Sequence, residues 1–409
     1  MRLNSLSLTN FRNYVRLELR LPGRLTVLQG ANAQGKTALL EAIHLLATGR
    51  SPRVGAEREL INWLALESVL PYARLEAEIG EGREAQKLEL VLELAPGGNG
   101  NGIARKQVRI NGVPKRALDL VGRLRVVLFL PEDVSLVAGA PAERRRYLDI
   151  MLCQVAPAYT RALTGYNRTL MQRNALLRRL RDEGGDPGQL AFWDEQMAAH
   201  GSVLFRWRSD ALYKLDGLAG ERHRDLTGGA ERLSLAYMPG FAPDLPAAAA
   251  PRPGAGKRAI LAEERPAYHA IQDADARERL FGQLRGNRAR EIAAGASLLG
   301  PHRDDVAFTV DAHDLRTYGS RGQQRTAALA LKLAELRLMQ EMTGDNPLLL
   351  LDDVMSELDV TRRHAMLDVL AGVPQAIVTT TDWADFSPEL LRQARTLRVE
   401  AGRILSTEV

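Results

Sequence analysis

The sequence predicts an α/β fold interrupted by a mainly α-helical insertion, and three observations support this. Short strand patterns fill the first 130 residues, and long helical patterns rich in Arg, Leu and Ala occupy residues 141–291. Alternation of strands and helices then returns after Leu299. Because the two α/β segments flank the helical one, we predict a discontinuous domain, residues 1–140 and 292–409, with residues 141–291 as an inserted helical arm.

The composition excludes several classes of protein. The chain has 409 residues, 45% hydrophobic and 26% charged, which excludes a disordered or collagen-like chain. A single cysteine, Cys153, excludes an intramolecular disulfide and a cysteine-based zinc site. The N-terminus has no apolar signal region and no stretch approaches ~18 consecutive apolar residues, so we predict a cytoplasmic protein. The net charge of +5 is compatible with a polyanionic partner but does not by itself indicate one.

The first fifty residues predict three strands, a glycine-rich turn and a helix. Val15, Leu17, Leu19 and Leu21 alternate with charged residues, which is typical of a strand with one buried face. The apolar run at 25–28 ends before a glycine, and residues 37–46 have apolar side chains at helical spacing.

Further strands and loops are predicted in the middle of the chain. Alternating leucines at 88–94 and the apolar run at 125–130 predict strands, and the Asn-Gly pair at 111–112 predicts a hairpin turn. The glycine-rich segment 96–102 predicts a flexible turn. The Pro/Gly-rich segment 243–257 predicts a mobile loop, because it has too few large apolar residues to pack.

The C-terminal part predicts a helix between buried strands. Residues 348–351 and 376–378 are short apolar runs typical of buried strands. Residues 326–342 predict an amphipathic helix, whose apolar stripe contains Leu329, Leu333 and Leu336.

A complete phosphate-binding motif follows the third predicted strand. Residues 30–37 match G-x-x-x-x-G-K-[ST] at every fixed position and open the predicted helix, which argues against a chance glycine-rich turn. In such a loop, backbone N–H groups face phosphate oxygens, the lysine neutralises the β- and γ-phosphates, and the threonine hydroxyl binds Mg²⁺. The predicted nucleotide-binding residues are Gly30, Ala31, Asn32, Ala33, Gln34, Gly35, Lys36 and Thr37.

Two adjacent carboxylates end the strand at 348–351. Asp352 and Asp353 would reach the C-terminal edge of a parallel sheet, where ligands bind. We predict that Asp352 holds Mg²⁺, directly or through water, and that Asp353 acts on the attacking water as its base or orienter. An acidic turn without catalytic role is the alternative. The 315 residues between Thr37 and Asp352 indicate that a whole domain is inserted between the two halves of the site.

A second polar turn precedes the helix at 326–342. Ser320, Gly322 and Gln323 would place a cap and free N–H groups at a helix N-terminus, which is a second phosphate-binding device. Since the first loop already holds one triphosphate, we expect this turn to complete the site of a second copy, with ATP between two heads. The alternative is an ordinary helix N-cap with polar side chains beside it.

These residues resemble the RecF family, bacterial recombination mediators in the SMC-like branch of ABC-type ATPases. The turn at 320–323 resembles the ABC signature, and the head resembles the family at residues 10–14, 35–37, 40–43 and 51–53. Further similar motifs lie at 131–133, 143–146, 172–174 and 300–305, so the resemblance spans residues 1 to about 382. A D-loop is implied at Ser356, Glu357, Leu358 and Asp359.

The resemblance implies an ABC-type P-loop ATPase head (lobe I) with an inserted, mainly helical lobe II. It implies an ATP-dependent homodimer that binds double-stranded DNA at double-strand/single-strand junctions and hydrolyses ATP with Mg²⁺. It further implies a RecR partner, together with RecO, and help in loading RecA at gaps during repair. No membrane partner is implied.

The chain departs from the pattern at two positions. Arg321 stands where the family usually has Gln, which places a cation beside the facing γ-phosphate. Asp353 is one methylene shorter than the Glu base of many ABC ATPases, and we therefore predict slow turnover, as a switch rather than a motor. Three threonines at 379–381 stand in place of a transporter-type switch histidine.

Clustered arginines mark the insertion as basic. Arginine contacts to phosphates give salt-dependent, sequence-independent binding of duplex DNA, with a solvated face of ion pairs as the alternative. The predicted DNA contacts are Arg144, Arg145, Arg173, Arg178 and Arg179. His302 lacks partners at metal-ligand spacing, so we predict a structural hinge there rather than a zinc site.

Other functions fit the sequence less well. A nucleotide-binding subunit of an ABC transporter is the main alternative, but it would need the switch histidine and would not need the helical insertion. An SMC structural protein would require hundreds of heptad residues at the insertion. A P-loop kinase would conflict with the turn at Ser320 and with the distant Asp352.

Overall fold

The computed structural model describes residues 1–53, 55–95, 103–241 and 268–406. The predicted turn at 96–102 and the predicted loop at 243–257 lie outside the described residues. The described chain forms two compact units, Met1–Glu132 with Met339–Val409, and Asp133–Leu338. The predicted domain boundaries stay a prediction, since a compact unit need not coincide with an inserted domain.

The structure contains both helices and strands throughout. The strands are β1 Leu3–Phe11, β2 Tyr14–Arg20, β3 Leu25–Gln29, β4 Tyr72–Ile79, β5 Gln86–Ala95, β6 Ile103–Ile110, β7 Val113–Lys115, β8 Val126–Phe129, β9 Leu233–Met238, β10 Asp305–Val310, β11 His313–Asp314, β12 Leu348–Asp352, β13 Ala376–Thr380, β14 Arg395–Glu400 and β15 Arg403–Ser406. The helices are α1 Lys36–Thr48, α2 Ala117–Leu120, α3 Ser135–Ala138, α4 Pro141–Val155, α5 Pro157–Glu183, α6 Ala191–Thr227, α7 Asp273–Gly286, α8 Arg288–Ala294, α9 Leu315–Tyr318, α10 Arg321–Thr343, α11 Val360–Gly372 and α12 Pro388–Gln393.

A six-stranded, mostly parallel sheet positions the nucleotide motifs in the first unit. Its strand order is β15-β14-β3-β13-β12-β8, and only β15 runs antiparallel to its neighbour. In the register, Thr379 pairs with Leu28 of β3 on one side and with Asp352 of β12 on the other. The end of β3 and the end of β12 therefore lie at the same sheet edge, as predicted for a parallel sheet.

An antiparallel sheet, β2-β1-β4-β5-β6-β7, completes the first unit. Helix α1 contacts both sheets and is buried on nearly all sides. The apolar spacing in the sequence predicted the helix but not that its other faces are buried as well. In β2, Leu17 and Leu19 are buried as expected, but Val15 is 54% exposed. Tyr14, which pairs with Phe11 at the start of the strand, is buried instead.

The second unit is mainly helical but contains a three-stranded sheet. Helices α5 and α6 pack along each other, and α7 packs on α6. Strand β9, which the sequence analysis did not predict, pairs antiparallel with β10 in the order β11-β10-β9. No helix in the described part of the chain is long and apolar enough to cross a membrane.

Helix α10 differs from its predicted form. The sequence predicted one apolar stripe, but every residue from 326 to 336 is buried. Two of these are charged, and they are paired with each other, since Lys332 Nζ donates to Glu335 Oε2 over 2.6 Å. The pairing limits the cost of burying the two charges.

Candidate nucleotide site

The loop at 30–37 connects β3 to α1 and depends on its two glycines for steric reasons. Gly35 has φ +119°, a conformation that other residues rarely adopt. A Cβ on Gly35 would lie 2.7 Å from Asn13 Nδ2, and a Cβ on Gly30 would overlap the Val399 carbonyl oxygen. Both fixed glycines of the motif are therefore required by the packing beneath the loop, in addition to any requirement of a phosphate above it.

Lys36 folds back over the loop. Its Nζ donates to the carbonyl oxygens of Gly30 and, over 3.1 Å, Ala31, and its side chain is buried. Burial lowers the pKa of Lys36, and the nearby carboxylates of Asp353 and Asp352 oppose this by favouring the charged form. The ammonium group is thus held at the loop, where it is predicted to meet phosphate oxygens.

Asp352 joins the two halves of the predicted site. Its Oδ1 accepts hydrogen bonds from Thr37 Oγ1 at 3.0 Å and from Thr379 Oγ1 at 2.9 Å. Burial raises the pKa of Asp352, and these two hydroxyl donors oppose the rise. A carboxylate beside a hydroxyl is a set of hard oxygen ligands of the kind that Mg²⁺ binds together with phosphate oxygens, so the two residues fit the predicted metal.

Asp353 is held in a strained backbone conformation next to Asp352. Its φ is +54°, and its N–H donates to Thr379 Oγ1 over 3.0 Å. Its buried Oδ1 has no hydrogen-bond partner among the residues that the structure describes. Burial raises the pKa of Asp353, opposed by the positive charge of Lys36. A residue that positions a water molecule needs an acceptor oxygen that is not bonded to the protein, and Asp353 has one.

A cavity of about 790 Å³ lies in front of these groups. This volume is in the range of small-molecule sites. Its walls combine the loop, the two aspartates and polar or aromatic side chains from the antiparallel half of the unit. The lining residues are Arg12, Asn13, 31–38, Glu41, Arg53, Glu59, Ile61, Trp63, Pro131, Glu132, Asp352 and Asp353.

The hairpin β14–β15 supports the loop from below and was not predicted. Gln34 O accepts from Asn13 Nδ2 at 2.8 Å and from Gly402 N at 2.9 Å, and Gln34 Oε1 accepts from Ala401 N at 2.7 Å. The alternation around Leu397 and Val399, followed by Ala-Gly, is a hairpin signal that could have indicated it. Gln34 therefore anchors the loop to the fold through its side chain.

Three motifs of the family resemblance meet in one buried ion pair. Arg12 donates to both carboxylate oxygens of Glu41, at 2.8 and 2.9 Å, and Ser51 Oγ donates to Glu41 Oε1 at 2.5 Å. Glu41 is 2% exposed. The bidentate pair fixes the Arg12 guanidinium at the cavity wall.

The signature-like turn lies in the second unit and closes the start of α10 with a reciprocal cap. Gln323 N donates to Ser320 Oγ over 3.2 Å, and Ser320 N donates to Gln323 Oε1 over 2.9 Å. This is the capping-box arrangement. Arg321 and Gly322 are exposed, and a Cβ on Gly322 would meet only Ser320 Oγ, at 3.9 Å. The first-turn backbone is therefore open to an external anion.

The predicted D-loop follows Asp353 directly. Ser356 Oγ donates to the Asp353 carbonyl oxygen over 2.8 Å, and Asp359 caps α11 by accepting from Arg362 N at 2.9 Å. Glu357 is exposed and Leu358 is buried. The segment from Asp353 to α11 is thus fixed at both ends.

The structure contradicts two of the five predicted DNA contacts. Arg173 has no exposed surface, and it pairs with Asp194 and Glu291 at 2.7 Å each. Arg144 is 3% exposed and donates to both oxygens of Asp305, at 2.6 and 3.1 Å. A guanidinium that is buried and saturated by carboxylates cannot reach a phosphate without opening the fold, so these two predictions are wrong.

The other three arginines have exposed surface. Arg178 and Arg179 are exposed on α5, and Arg179 also donates to Gln189 Oε1 over 2.6 Å. Arg145 is half-buried and donates to the Asp304 carbonyl oxygen over 2.7 Å. Charge clustering in the sequence did not distinguish these residues from the buried ones.

His302 makes two hydrogen bonds within the second unit. Nδ1 lies 2.7 Å from Tyr166 Oη, and Nε2 lies 3.0 Å from the Ser297 carbonyl oxygen, so Nε2 donates and Nδ1 accepts. Burial lowers the pKa of His302 to about 4. The neutral ring connects α5 with the segment after α8, and its role as a hinge stays a prediction.

Comparison with known proteins identifies the family. Residues 2–397 match the RecF/RecN/SMC N-terminal domain family. A protein of Chloroflexus aggregans described as DNA replication and repair protein RecF is 44% identical, over 99% of this chain and 100% of its own. A solved structure described as the recombination mediator protein RecF-ATP in the RecFOR pathway is 30% identical, with TM-score 0.81, covering 99% of this chain and 97% of that chain.

More distant structures share the fold alone. An SMC head bound to the C-terminal winged-helix domain of ScpA is 15% identical, with TM-score 0.51, covering 100% of this chain and 98% of that chain. These similarities confirm the predicted ABC-type α/β head, and they do not favour the transporter subunit. The chain belongs to the RecF family of DNA replication and repair proteins.

Proposed function

We propose that this protein is an ATP-dependent DNA-binding switch of recombinational repair, acting in the cytoplasm. One observation carries the ATP-dependent part, namely the hydrogen bond between Thr37 of the phosphate-binding loop and Asp352 of a distant strand. It supports a single Mg-nucleotide site built from both motifs. The relative described as RecF-ATP supports ATP as the nucleotide.

In the proposed mechanism, the loop N–H groups and Lys36 bind the phosphates, and Thr37 with Asp352 holds Mg²⁺. When bound, Mg²⁺ neutralises charge that develops on the phosphate oxygens. Asp353 accepts a hydrogen bond from the attacking water through its free oxygen and orients it. Because the Asp353 side chain is short and its backbone is constrained, we propose that ATP turnover is slow. We further propose that DNA stimulates it.

The signature-like turn then acts on the nucleotide of a second copy. Its open first turn, with Ser320, Gly322 and Gln323, would place N–H groups and the exposed Arg321 against the facing γ-phosphate. The D-loop at 356–359, which is bonded to the Asp353 carbonyl oxygen, would face the same interface. ATP binding would therefore close a homodimer, and hydrolysis would open it.

Double-stranded DNA would bind to exposed arginines of α5. Arg178 and Arg179 retain this role in the proposal, as does the half-buried Arg145 of α4, and Arg161 and Arg168 are exposed on α5. Their contacts to phosphates would be independent of sequence and sensitive to salt. The family membership supports junctions of double- and single-stranded DNA as the target, RecR with RecO as partners, and assistance in loading RecA at gaps.

The test is the oligomeric mass of the full chain with ATP, with ADP, and of Lys36→Met with ATP. We expect two copies in the first case alone, because only an intact loop holding a γ-phosphate offers the facing turn its ligand. A single copy of the wild-type chain with saturating ATP and Mg²⁺ would overturn the dimer. ATP hydrolysis unchanged by duplex DNA would overturn the switch.

A further inference from the structure

The Gln323 side chain is held at both ends of its amide. Its Oε1 accepts from Ser320 N at 2.9 Å, which is half of the capping box. Its Nε2 donates to Glu231 Oε1 at 2.9 Å. An amide presents an acceptor on one side and donors on the other, so a carboxylate on the nitrogen side turns the oxygen toward Ser320. Glu231 therefore determines the orientation of the Gln323 side-chain amide.

Glu231 is itself fixed from the opposite side. Its Oε2 lies 3.1 Å from Nε2 of His223, which is fully buried near the C-terminal end of α6. Thr227 Oγ1 donates to the His223 carbonyl oxygen over 2.8 Å in the same turn. Each carboxylate oxygen of Glu231 thus serves one neighbour, α6 on one side and the signature turn on the other.

The backbone around Glu231 is hydrogen-bonded on both sides. Gly228 and Gly229 have φ +61° and +81° and end α6 in a tight turn. On the other side, Arg232 N donates to Asp311 Oδ1, and Asp311 N donates to the Arg232 carbonyl oxygen, both at 3.1 Å. The carboxylate is therefore presented to Gln323 by a short connection between α6 and β9 that is hydrogen-bonded at both ends.

We propose that Glu231 is a positioning residue for the signature turn, which it holds in the geometry that binds the γ-phosphate of a second copy. This inference rests on the proposed function. The Ser320 hydroxyl and the first-turn N–H groups of α10 are ordered by the capping box, and Glu231 orders the Gln323 side of that box. Loss of the Glu231 acceptor lets the amide rotate and leaves the turn disordered before the phosphate arrives.

The experiment compares Glu231→Ala with wild type in the full chain, using ATP and Mg²⁺. We expect the dissociation constant of the ATP-dependent dimer, measured by sedimentation, to rise at least about tenfold, as for a lost hydrogen bond to a charged group. ATP binding to the single copy, measured with a fluorescent ATP analogue, should stay within about twofold. Because ATP binds in the first unit and Glu231 lies in the second, a merely structural role is tested separately by denaturant unfolding, in which the positioning role predicts a midpoint close to that of wild type.

Three variants control the result. Glu221→Ala removes an exposed acid of α6 and should behave as wild type. Glu231→Gln keeps an acceptor oxygen and should restore most of the dimer affinity. Glu231→Met, with similar length and no acceptor, replaces the alanine variant if that fails to fold, and it should show the same tenfold defect.

Two outcomes distinguish this inference from the proposed function. A dimer affinity of Glu231→Ala and Glu231→Met within twofold of wild type, beside a defect in Ser320→Ala, would overturn the positioning role alone. If Ser320→Ala also dimerises normally with ATP, the facing-copy role of the signature turn is wrong, and the positioning role is wrong with it.

Discussion

The Arg208 network of the second unit and the nucleotide site of the first unit differ in how completely protein groups satisfy their buried polar atoms. In the second unit, Arg208 is buried, and its guanidinium donates to Tyr159 Oη, the Pro301 carbonyl oxygen and the carboxylates of Asp304 and Asp149, at 2.6 to 2.9 Å. In the nucleotide site of the first unit, by contrast, a buried carboxylate oxygen lacks a hydrogen-bond partner among the described residues.

This atom belongs to Asp353, the residue that is proposed to orient the attacking water. Among the described residues, Asp353 Oδ1 is buried without a hydrogen-bond partner, and Lys36 Nζ donates to carbonyl oxygens of its own loop. A structural network is completed by the protein, whereas a binding site is completed by its ligand. The Arg208 guanidinium is therefore part of the fold, whereas Asp353 keeps an acceptor oxygen for a water molecule.

The largest effect expected from this comparison is on stability in the second unit. Replacing Arg173 with Met leaves the carboxylates of Asp194 and Glu291 short of a partner, which costs about 3–5 kcal/mol. Denaturant unfolding followed by circular dichroism measures this loss. The matched control Arg178→Met, exposed on the same helix, should change stability by no more than about 0.5 kcal/mol. Equal stability of both variants would contradict the structural role of Arg173.

The next effect concerns the two aspartates of the nucleotide site. Asp352→Asn keeps an acceptor for Thr37 and Thr379 but loses the charge that holds Mg²⁺, so we expect turnover to fall about 10²-fold and to recover partly at high Mg²⁺. Asp353→Asn should lower turnover at every Mg²⁺ concentration. A magnesium titration of steady-state ATP hydrolysis separates the two roles, and identical titration curves would show that the assignment of roles is wrong.

A smaller effect is expected from His302, which belongs to the satisfied network of the second unit. Its folded-state pKa of about 4 lies below the ordinary value of 6.5, so the unfolded chain takes up a proton first as the pH falls. Stability from this group is therefore lost between pH 6.5 and about 4, by about 2 kcal/mol at pH 4.5.

The variant His302→Gln tests this pH dependence. Its stability relative to wild type should improve by about 2 kcal/mol on going from pH 7 to pH 4.5, because the variant has no proton to gain at this position. Urea unfolding at the two pH values measures the difference. A stability gap that does not change with pH would contradict the burial of a neutral ring.

The smallest effect is expected at the exposed arginines. The double variant Arg178→Ala with Arg179→Ala should weaken duplex DNA binding about tenfold for all sequences and lower the salt slope by about 2. Arg181→Ala is the control, since Arg181 is already paired with Asp182 at 2.8 Å. Fluorescence anisotropy at several salt concentrations provides both numbers. An unchanged salt slope would show that these arginines form a solvated surface and do not contact DNA phosphates.

Local patterns were sufficient for the parts of the site that depend on consecutive residues. The loop at 30–37 and the strand ending in Asp352 and Asp353 were predicted correctly as elements, because glycine spacing and apolar runs are set by neighbouring residues. The hairpin β14–β15 and strand β9 were missed. The fixed position of Gln34 depends on that hairpin, far away in sequence.

The sequence by itself determined the family resemblance, the phosphate-binding loop and the expectation that Thr37 and Asp352 would meet across 315 residues. Only the tertiary structure decided which arginines are exposed and which, like Arg144 and Arg173, are buried in ion pairs. The physical reason is that burial and ion pairing depend on partners brought from distant parts of the chain. A motif depends on adjacent residues, and the role of a single charge depends on its whole surroundings.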